Sequence, residues 1–561
     1  MHCKNKWTDV PFADIQNFRL FLAGIVRGIF EYKWEKQKMK GLKRNLKRLK
    51  RFFLNALLLG ATTIFMRSIA VVFNAYVSGK IGAEGMGLYS LITSVYGFAV
   101  TLATSGVGLA VMRLVSEELG KENHAGVLTA MKKCVGYALI FGISSFAALF
   151  FGADFIACRI LQDERTYLSL RVLSLALPFI ALSSVLSGYF NAVRRVYKSA
   201  SASMAEQFVK IFLTVCFLRM LLPKGMEYGA LALVLGTAIA EALSFFYLLI
   251  FFIFDRKKHL KTKRASSDPR MKSRMLNISL PIALSSYLRS GLVTVQHILI
   301  PIGLRKHGAD YKTALGSYGT IHGMVFPLIL FPSAVCSTFA GLIVPELSEL
   351  AASYGEIHGN RHIGYIVRRA LSLALIFGIG TAGILVCFAE PLGILVYKSA
   401  EAANYIRVFA PLVPVMYLDT TVDGMLKGLG QQLHSMLYNI IDASLSVFLV
   451  WSLMPKLGIY GYVICVFVTE IINLAFSLTR LLTVTGVKLP LLKAVFCPIL
   501  CVSGAAALSG IALRNLAFSF GNTGFTVCGI FLSVVFYLML LRILGGISAE
   551  DSRWFANILK K

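Results

Sequence analysis

Residues 54–68, LNALLLGATTIFMRS, align without a gap on residues 276–290, LNISLPIALSSYLRS, with Leu54, Asn55, Leu58, Ala61, Arg67 and Ser68 meeting identical residues. Self-similarity between distant stretches is the signature of an internal repeat. Collinear matches extend it. Gly87 and Tyr89 meet Gly316 and Tyr318, and Ser116-Glu117 meets Ser348-Glu349. A further constant offset pairs Arg171-Val172 with Arg407-Val408, Pro178 with Pro414, Gly188 with Gly424, Ser199 with Ser435 and Glu206 with Asp442. The chain therefore reads as two halves, 52–254 and 276–480, joined by a basic linker at 255–275. Residues 481–561 add further helices and a tail, and 1–51 form a basic leading segment.

The medium around these halves follows from composition. Of 561 residues, 57% are hydrophobic and 15% charged, and mean hydropathy is +0.70. A soluble domain carries nearer a quarter charged residues. Apolar stretches of roughly 20 residues, enough to cross a ~30 Å hydrocarbon layer, recur along the chain. They do not alternate in polarity as barrel strands would. The fold class is an all-α integral membrane protein of about 14 transmembrane helices: two parallel six-helix repeats plus two C-terminal helices. The spans are predicted at 52–78, 86–112, 129–152, 167–190, 200–222, 230–254, 276–302, 317–343, 363–388, 405–427, 436–454, 458–480, 490–512 and 522–545.

The formal charge of +29 sits in loops between apolar spans. This pattern fits a positive-inside bias and contact with anionic lipid heads, not nucleic acid. Loops on the N-terminal side carry more than twice as many Lys and Arg as the opposite set, which predicts both termini in the cytoplasm of a bacterial cytoplasmic-membrane protein. The ten cysteines are scattered, without metal-ligand spacing, so no metal or cofactor is expected. Residues 1–38 place Phe12, Ile15, Phe18, Phe21, Leu22, Ile25 and Ile29 on one face without a signal-peptide pattern. Two readings stay open there: an interfacial amphipathic helix, or translation beginning at Met39.

Ionisable residues inside a membrane span are expensive and face protein or a wet cavity. Arg67 and Arg289 each lie about 14 residues into the first helix of their half, roughly 20 Å along it. The repeat puts them at similar depth, where two guanidinium forks could take the oxygens of a diphosphate, or pair with carboxylates for packing. Asp419 and Asp423, four apart, share a helix face. With Glu206 and Asp442 they are candidates for ion coupling or for pairing with the arginines. Glu241, Lys210 and Glu470 also lie in apolar spans, and His297 and His322 read as ordinary hydrogen-bonded side chains. There is no P-loop, no Ser/His/Asp arrangement and no soluble domain, so the chain is not expected to be an enzyme.

Residues 65–91, FMRSIAVVFNAYVSGKIGAEGMGLYSL, and 331–350, FPSAVCSTFAGLIVPELSEL, resemble the multidrug/oligosaccharidyl-lipid/polysaccharide exporter superfamily. Within it the resemblance is to the stage V sporulation protein B and polysaccharide-biosynthesis branch, next to the lipid II flippases, over about 40–545. It implies a 14-helix transporter with a lipid-tail groove at the last two helices. Arg67 matches a first-helix arginine of the lipid II flippases. Two other cationic positions of those flippases are occupied here by Phe73 and Pro327. The expected function is alternating-access movement of an undecaprenyl-pyrophosphate-linked oligosaccharide or peptidoglycan precursor, with a glycosyltransferase or polymerase as partner. The alternatives are a cation-coupled multidrug antiporter and a non-transporting scaffold for envelope enzymes.

Overall fold

The computed structural model describes residues 60–259, 270–353, 356–487, 491–516 and 522–546. The leading segment with its Met39 question, most of the linker and the far C-terminal tail lie outside those residues. Among the described residues every regular element is a helix. Ten helices are long and apolar enough to cross a membrane, or up to eleven if the bent pair Glu164–Ser174 and Leu177–Ala192 forms one span. Large apolar side chains stand outward, with Phe151 76%, Phe212 67% and Phe531 67% exposed. Such a surface is at home in hydrocarbon, where helices satisfy their own backbone groups. The chain is a multi-pass membrane protein.

Helices interrupted by special residues separate this tally from the 14 spans predicted. Gly60–Gly120 is one 61-residue run by length and composition, where spans were placed at 52–78 and 86–112. Gly82 has φ 68°, a left-handed conformation that a straight α-helix cannot contain, so the chain turns there. A second break falls at Ser105 (φ 44°) and Gly106 (φ 69°), inside the predicted 86–112 span. The predicted 317–343 span is divided near Pro332 into Tyr311–Leu330 and Ser333–Ser353. The predicted 405–427 span is divided by a 3₁₀ turn at Ala410–Leu412, beside Pro411 and Pro414. Proline removes a donor and frees a carbonyl, which explains the last two breaks. Val196–Leu221 is helical where 200–222 was predicted, but it carries Lys198, Glu206, Lys210 and Arg219.

A broken helix in a membrane must have its carbonyls satisfied by side chains. At the Ser105–Gly106 break, Leu102 O accepts from Ser105 Oγ (2.5 Å) and Tyr287 OH (3.5 Å), and Ser105 O from Tyr137 OH (3.3 Å). At the break near Pro332, Ile329 O accepts from Tyr417 OH (2.6 Å). Leu330 O accepts from Ser333 Oγ (2.6 Å) and Arg67 Nη1 (3.3 Å). These two breaks are thus held by side chains of neighbouring helices, Tyr137 and Tyr287 at the one and Tyr417 and Arg67 at the other.

These contacts also define how the helices run. Thr294 Oγ1 donates to Ser94 O (3.1 Å), Thr101 Oγ1 to Ser290 Oγ (3.2 Å), and Arg274 to Glu117. Numbers fall on one side as they rise on the other, so 83–120 lies antiparallel to Met271–Lys306. Arg67 meets Ser333 (3.0 Å) and Gly60 lies against Thr338, so the helix before Gly82 is antiparallel to the chain on both sides of Pro332.

Where 83–104 crosses Tyr311–Gly319, the backbones touch. A Cβ on Gly319 would sit 2.1 Å from Ala83 O and 2.3 Å from Gly87 N. At Gly316 the nearest atom is Ala83 Cβ at 3.9 Å. Gly319→Ala is therefore expected to lower thermal stability in detergent, overpacking costing about 1–3 kcal/mol or more. Gly316→Ala should leave stability unchanged or raise it, since alanine favours a helix by roughly 0.5–1 kcal/mol. Equal melting shifts for the two variants would contradict the close crossing.

Candidate functional site

A cavity of about 510 Å³ opens between 83–104 and Met271–Lys306, lined by Thr93, Ser94, Thr101, Ser286, Arg289 and His297 among others. Its volume suits a small-molecule group, and the side chains of its wall include several hydroxyls beside apolar surface. Arg289 is exposed to this space. Among the described residues it makes no ion pair; Asp419, Asp442 and Glu470 act on it only through their electric field. A cation on a polar cavity without a bonded carboxylate can accept an anion.

The other sequence candidates fall into separate places. Arg67 does not line this cavity: its guanidinium holds the Leu330 carbonyl and the Ser333 hydroxyl. Asp423 accepts from Lys427 Nζ (2.6 Å) and Ser435. Asp419 accepts from Asn473 Nδ2 (3.2 Å), and Asp419 Oδ1, Asp442 Oδ1 and Asn473 Oδ1 are buried without a protein donor. Glu206 interacts with the Ser244 hydroxyl and the Lys210 ammonium, and Glu241 lies within its field. Neither arginine is bonded to any of these acids among the described residues.

Both ends of Met271–Lys306 are tied to elements of the first half. At one end Arg274 binds Glu117 and, at 3.3 Å, Glu118 Oε1. Glu118 is 3% exposed and also accepts from Asn123 Nδ2 (2.9 Å). At the other end, about 46 Å along the helix, Arg305 Nη1 donates to Gln162 Oε1 (2.8 Å). Beside it Tyr311 OH donates to Asp163 Oδ2. The Tyr311 ring lies between two guanidiniums, 5.8 Å from Arg165 and 5.4 Å from Arg305. Arg165 also pairs with Asp163 (2.8 Å) and Glu84 (2.9 Å). Burial raises the Asp163 carboxyl, but hydrogen bonds from Arg165 and Tyr311 outweigh it and hold the group below the usual carboxylate range.

Sequence reasoning missed one cluster. His297 Nδ1 meets Tyr318 OH at 2.8 Å, and His322 Nε2 meets Tyr462 OH at 2.8 Å. The two imidazoles stack edge-to-face with centroids 4.5 Å apart. His322 sits on a π-helical turn, Thr320–Val325. The four residues come from three helices, and only the Tyr318–His322 spacing of four was visible in the chain.

Comparison with known proteins places this geometry. The family model described as polysaccharide biosynthesis protein matches residues 52–350, and the model described as MatE matches 350–452. Stage V sporulation protein B of Bacillus subtilis (strain 168) is 27% identical over 417 residues, covering 73% of this chain and 79% of that protein. Lipid II flippase MurJ of the same organism is 21% identical over 417 residues, covering 69% and 74%. A solved lipid II flippase MurJ in an inward closed conformation superposes with TM-score 0.65 at 15% identity, over 87% of this chain and 98% of that one, and shares the fold. Because the first family model spans more than half of its length, the chain belongs to the polysaccharide biosynthesis protein family, in the stage V sporulation protein B branch of the multidrug/oligosaccharidyl-lipid/polysaccharide exporter superfamily, near the lipid II flippases.

Proposed function

We propose that this protein moves a lipid-linked precursor with a pyrophosphate linkage, an oligosaccharide or peptidoglycan unit, across the cytoplasmic membrane by alternating access. The observation that carries this reading is Arg289, a cation on an inter-helix cavity with no bonded carboxylate among the described residues. A pyrophosphate supplies the charge and the oxygen pairs that a guanidinium fork recognises. The relatives named stage V sporulation protein B and lipid II flippase MurJ support a lipid-linked substrate.

Two halves, 52–254 and 276–480, rock about the cavity, with the ties at Arg274 and Tyr311 opening in turn. The reciprocal antiparallel pairings and the two tyrosine-held helix breaks support a parallel six-plus-six arrangement within about 14 spans. The lipid tail stays in the bilayer beside the helices after residue 481. Both termini and the basic linker face the cytoplasm, against anionic lipid heads, and a glycosyltransferase or polymerase handles the sugar on either side. Arg67, by gripping the broken helix near Pro332, couples the halves, and the Asp419–Asp442 region or Glu206 responds to a counter-ion. The protein is a transporter and performs no chemistry on its cargo.

The test is headgroup exposure in liposomes, with the protein reconstituted alongside lipid II or, separately, a lipid-linked polysaccharide repeat unit. An enzyme confined to the outside should reach the headgroup far faster than in protein-free vesicles for at least one lipid. No acceleration for either, together with export of a cationic dye, would replace this reading with that of a multidrug antiporter.

A further inference from the structure

We propose that His297 and His322 form a proton-accepting site of the cavity, which takes up a proton when a pyrophosphate anion binds beside Arg289. This inference rests on the anion reading above and deepens it. The pyrophosphate diester that joins a lipid to a sugar carries two negative charges, more than one guanidinium neutralises, and the cavity wall otherwise offers hydroxyls and apolar groups. His297 lines the same cavity two helical turns from Arg289, about 12 Å along the axis.

The array is built to hold one added proton. A neutral imidazole has one donor and one acceptor nitrogen, and a tyrosine hydroxyl serves as either. Tyr318 can donate to His297 Nδ1 when the ring is neutral, and accept from it when the ring is charged, without losing the 2.8 Å contact. Tyr462 serves His322 Nε2 in the same way. With the rings 4.5 Å apart, a second proton would meet a like charge at contact distance. The π turn adds a residue to the helical ladder at the point where His322 turns toward both Tyr318 and His297.

Charged groups of both signs stand on the elements packed around the pair. Arg289 is the nearby positive group on the helix of His297. Ser317 and Thr320, beside Tyr318 and His322, hold Glu401 at 2.9 and 3.5 Å. On Ile459–Thr485, Tyr462 is followed by Cys465 and, two turns on, by Glu470. Asp442 acts on Cys465 from Gln432–Leu457. The helix 83–104 contributes hydroxyls to the cavity wall. By linkage, an anion that favours the charged pair must bind more tightly as the pair is protonated.

Isothermal titration calorimetry of the purified full chain with farnesyl pyrophosphate, in two buffers of different ionisation heat, counts the protons exchanged. After subtraction of the probe's own protonation, wild type should take up close to one proton more than the His297→Gln/His322→Gln variant. Its affinity should also rise more steeply as pH falls from 8 to 6. His297→Gln alone serves if the double variant does not fold. Equal proton counts in two proteins that both bind the probe would overturn the proton site and leave the anion site standing. Absence of probe binding to folded wild type would overturn both.

Discussion

Arg289→Ala is expected to return headgroup exposure in liposomes to the protein-free rate and to weaken farnesyl pyrophosphate binding about 10- to 100-fold. The size follows from a hydrogen bond to a charged group, about 1.5–3 kcal/mol, with every 1.4 kcal/mol a factor of ten. Two effects add. The fork that would take the phosphate oxygens disappears, and the field of Asp419, Asp442 and Glu470 is left without the cation that offsets it. Folding should be little changed, because no described carboxylate loses a bonded partner. Arg289→Lys should fall between, keeping the charge but losing the planar pair of donors. Arg67→Ala should behave differently, lowering thermal stability as well as transport, since Leu330 O loses a donor inside a broken helix. Normal binding and transport by folded Arg289→Ala would remove the anion site from this cavity.

Tyr311→Ala should open the end of the bundle that carries Asp163 and Arg165. The ring is the piece that bridges the helices there. It donates to a carboxylate, a contact of about 1.5–3 kcal/mol, and lies between two guanidiniums, each worth about 0.5–1 kcal/mol at exposed sites. If these contacts added, losing them at once would shift the balance between closed and open by roughly 60- to 4,000-fold, and the non-additivity of neighbouring contacts lowers that figure. Tyr311→Phe removes the hydroxyl alone and should give a smaller shift. Distances between spin labels on the exposed positions 164 and 306 report the change in detergent and in lipid. Indistinguishable distance distributions for wild type and Tyr311→Ala would show that this contact does not hold the end closed.

Much of the architecture could be read from the chain because hydrocarbon imposes it: the apolar runs had to be helices. The positions of the helices matched closely at His124–Phe155, Gln432–Leu457 and Ile459–Thr485. Of the prolines that interrupt the apolar runs, Pro178, Pro281, Pro327, Pro332 and Pro414, breaks lie beside Pro178, Pro332 and Pro414, whereas Pro281 sits inside the continuous helix Met271–Lys306. The Ser105-Gly106 dipeptide is a turn signal that went unread inside an apolar run, and the side chains that hold the break, Tyr137 and Tyr287, are distant in sequence. The candidate arginines stood out because charge in a membrane span is costly. Their separation into a cavity cation and a helix cap was not legible, since it depends on which helix each side chain meets. The same holds for His297 and His322. Each alone looks ordinary, and only the packing of three helices, with one π turn, brings them together.

Alternating access can be read with single cysteines at Thr93 and Ser286, two cavity-wall positions, in a background freed of the ten native cysteines. Membrane-impermeant thiol reagents are applied to each face of reconstituted vesicles. Labelling should come mainly from the Tyr311 side in Tyr311→Ala and mainly from the Arg274 side in Arg274→Ala, with farnesyl pyrophosphate slowing both. Labelling from the same single side in both variants, or from both sides at once in either, would contradict a cavity that opens by turns.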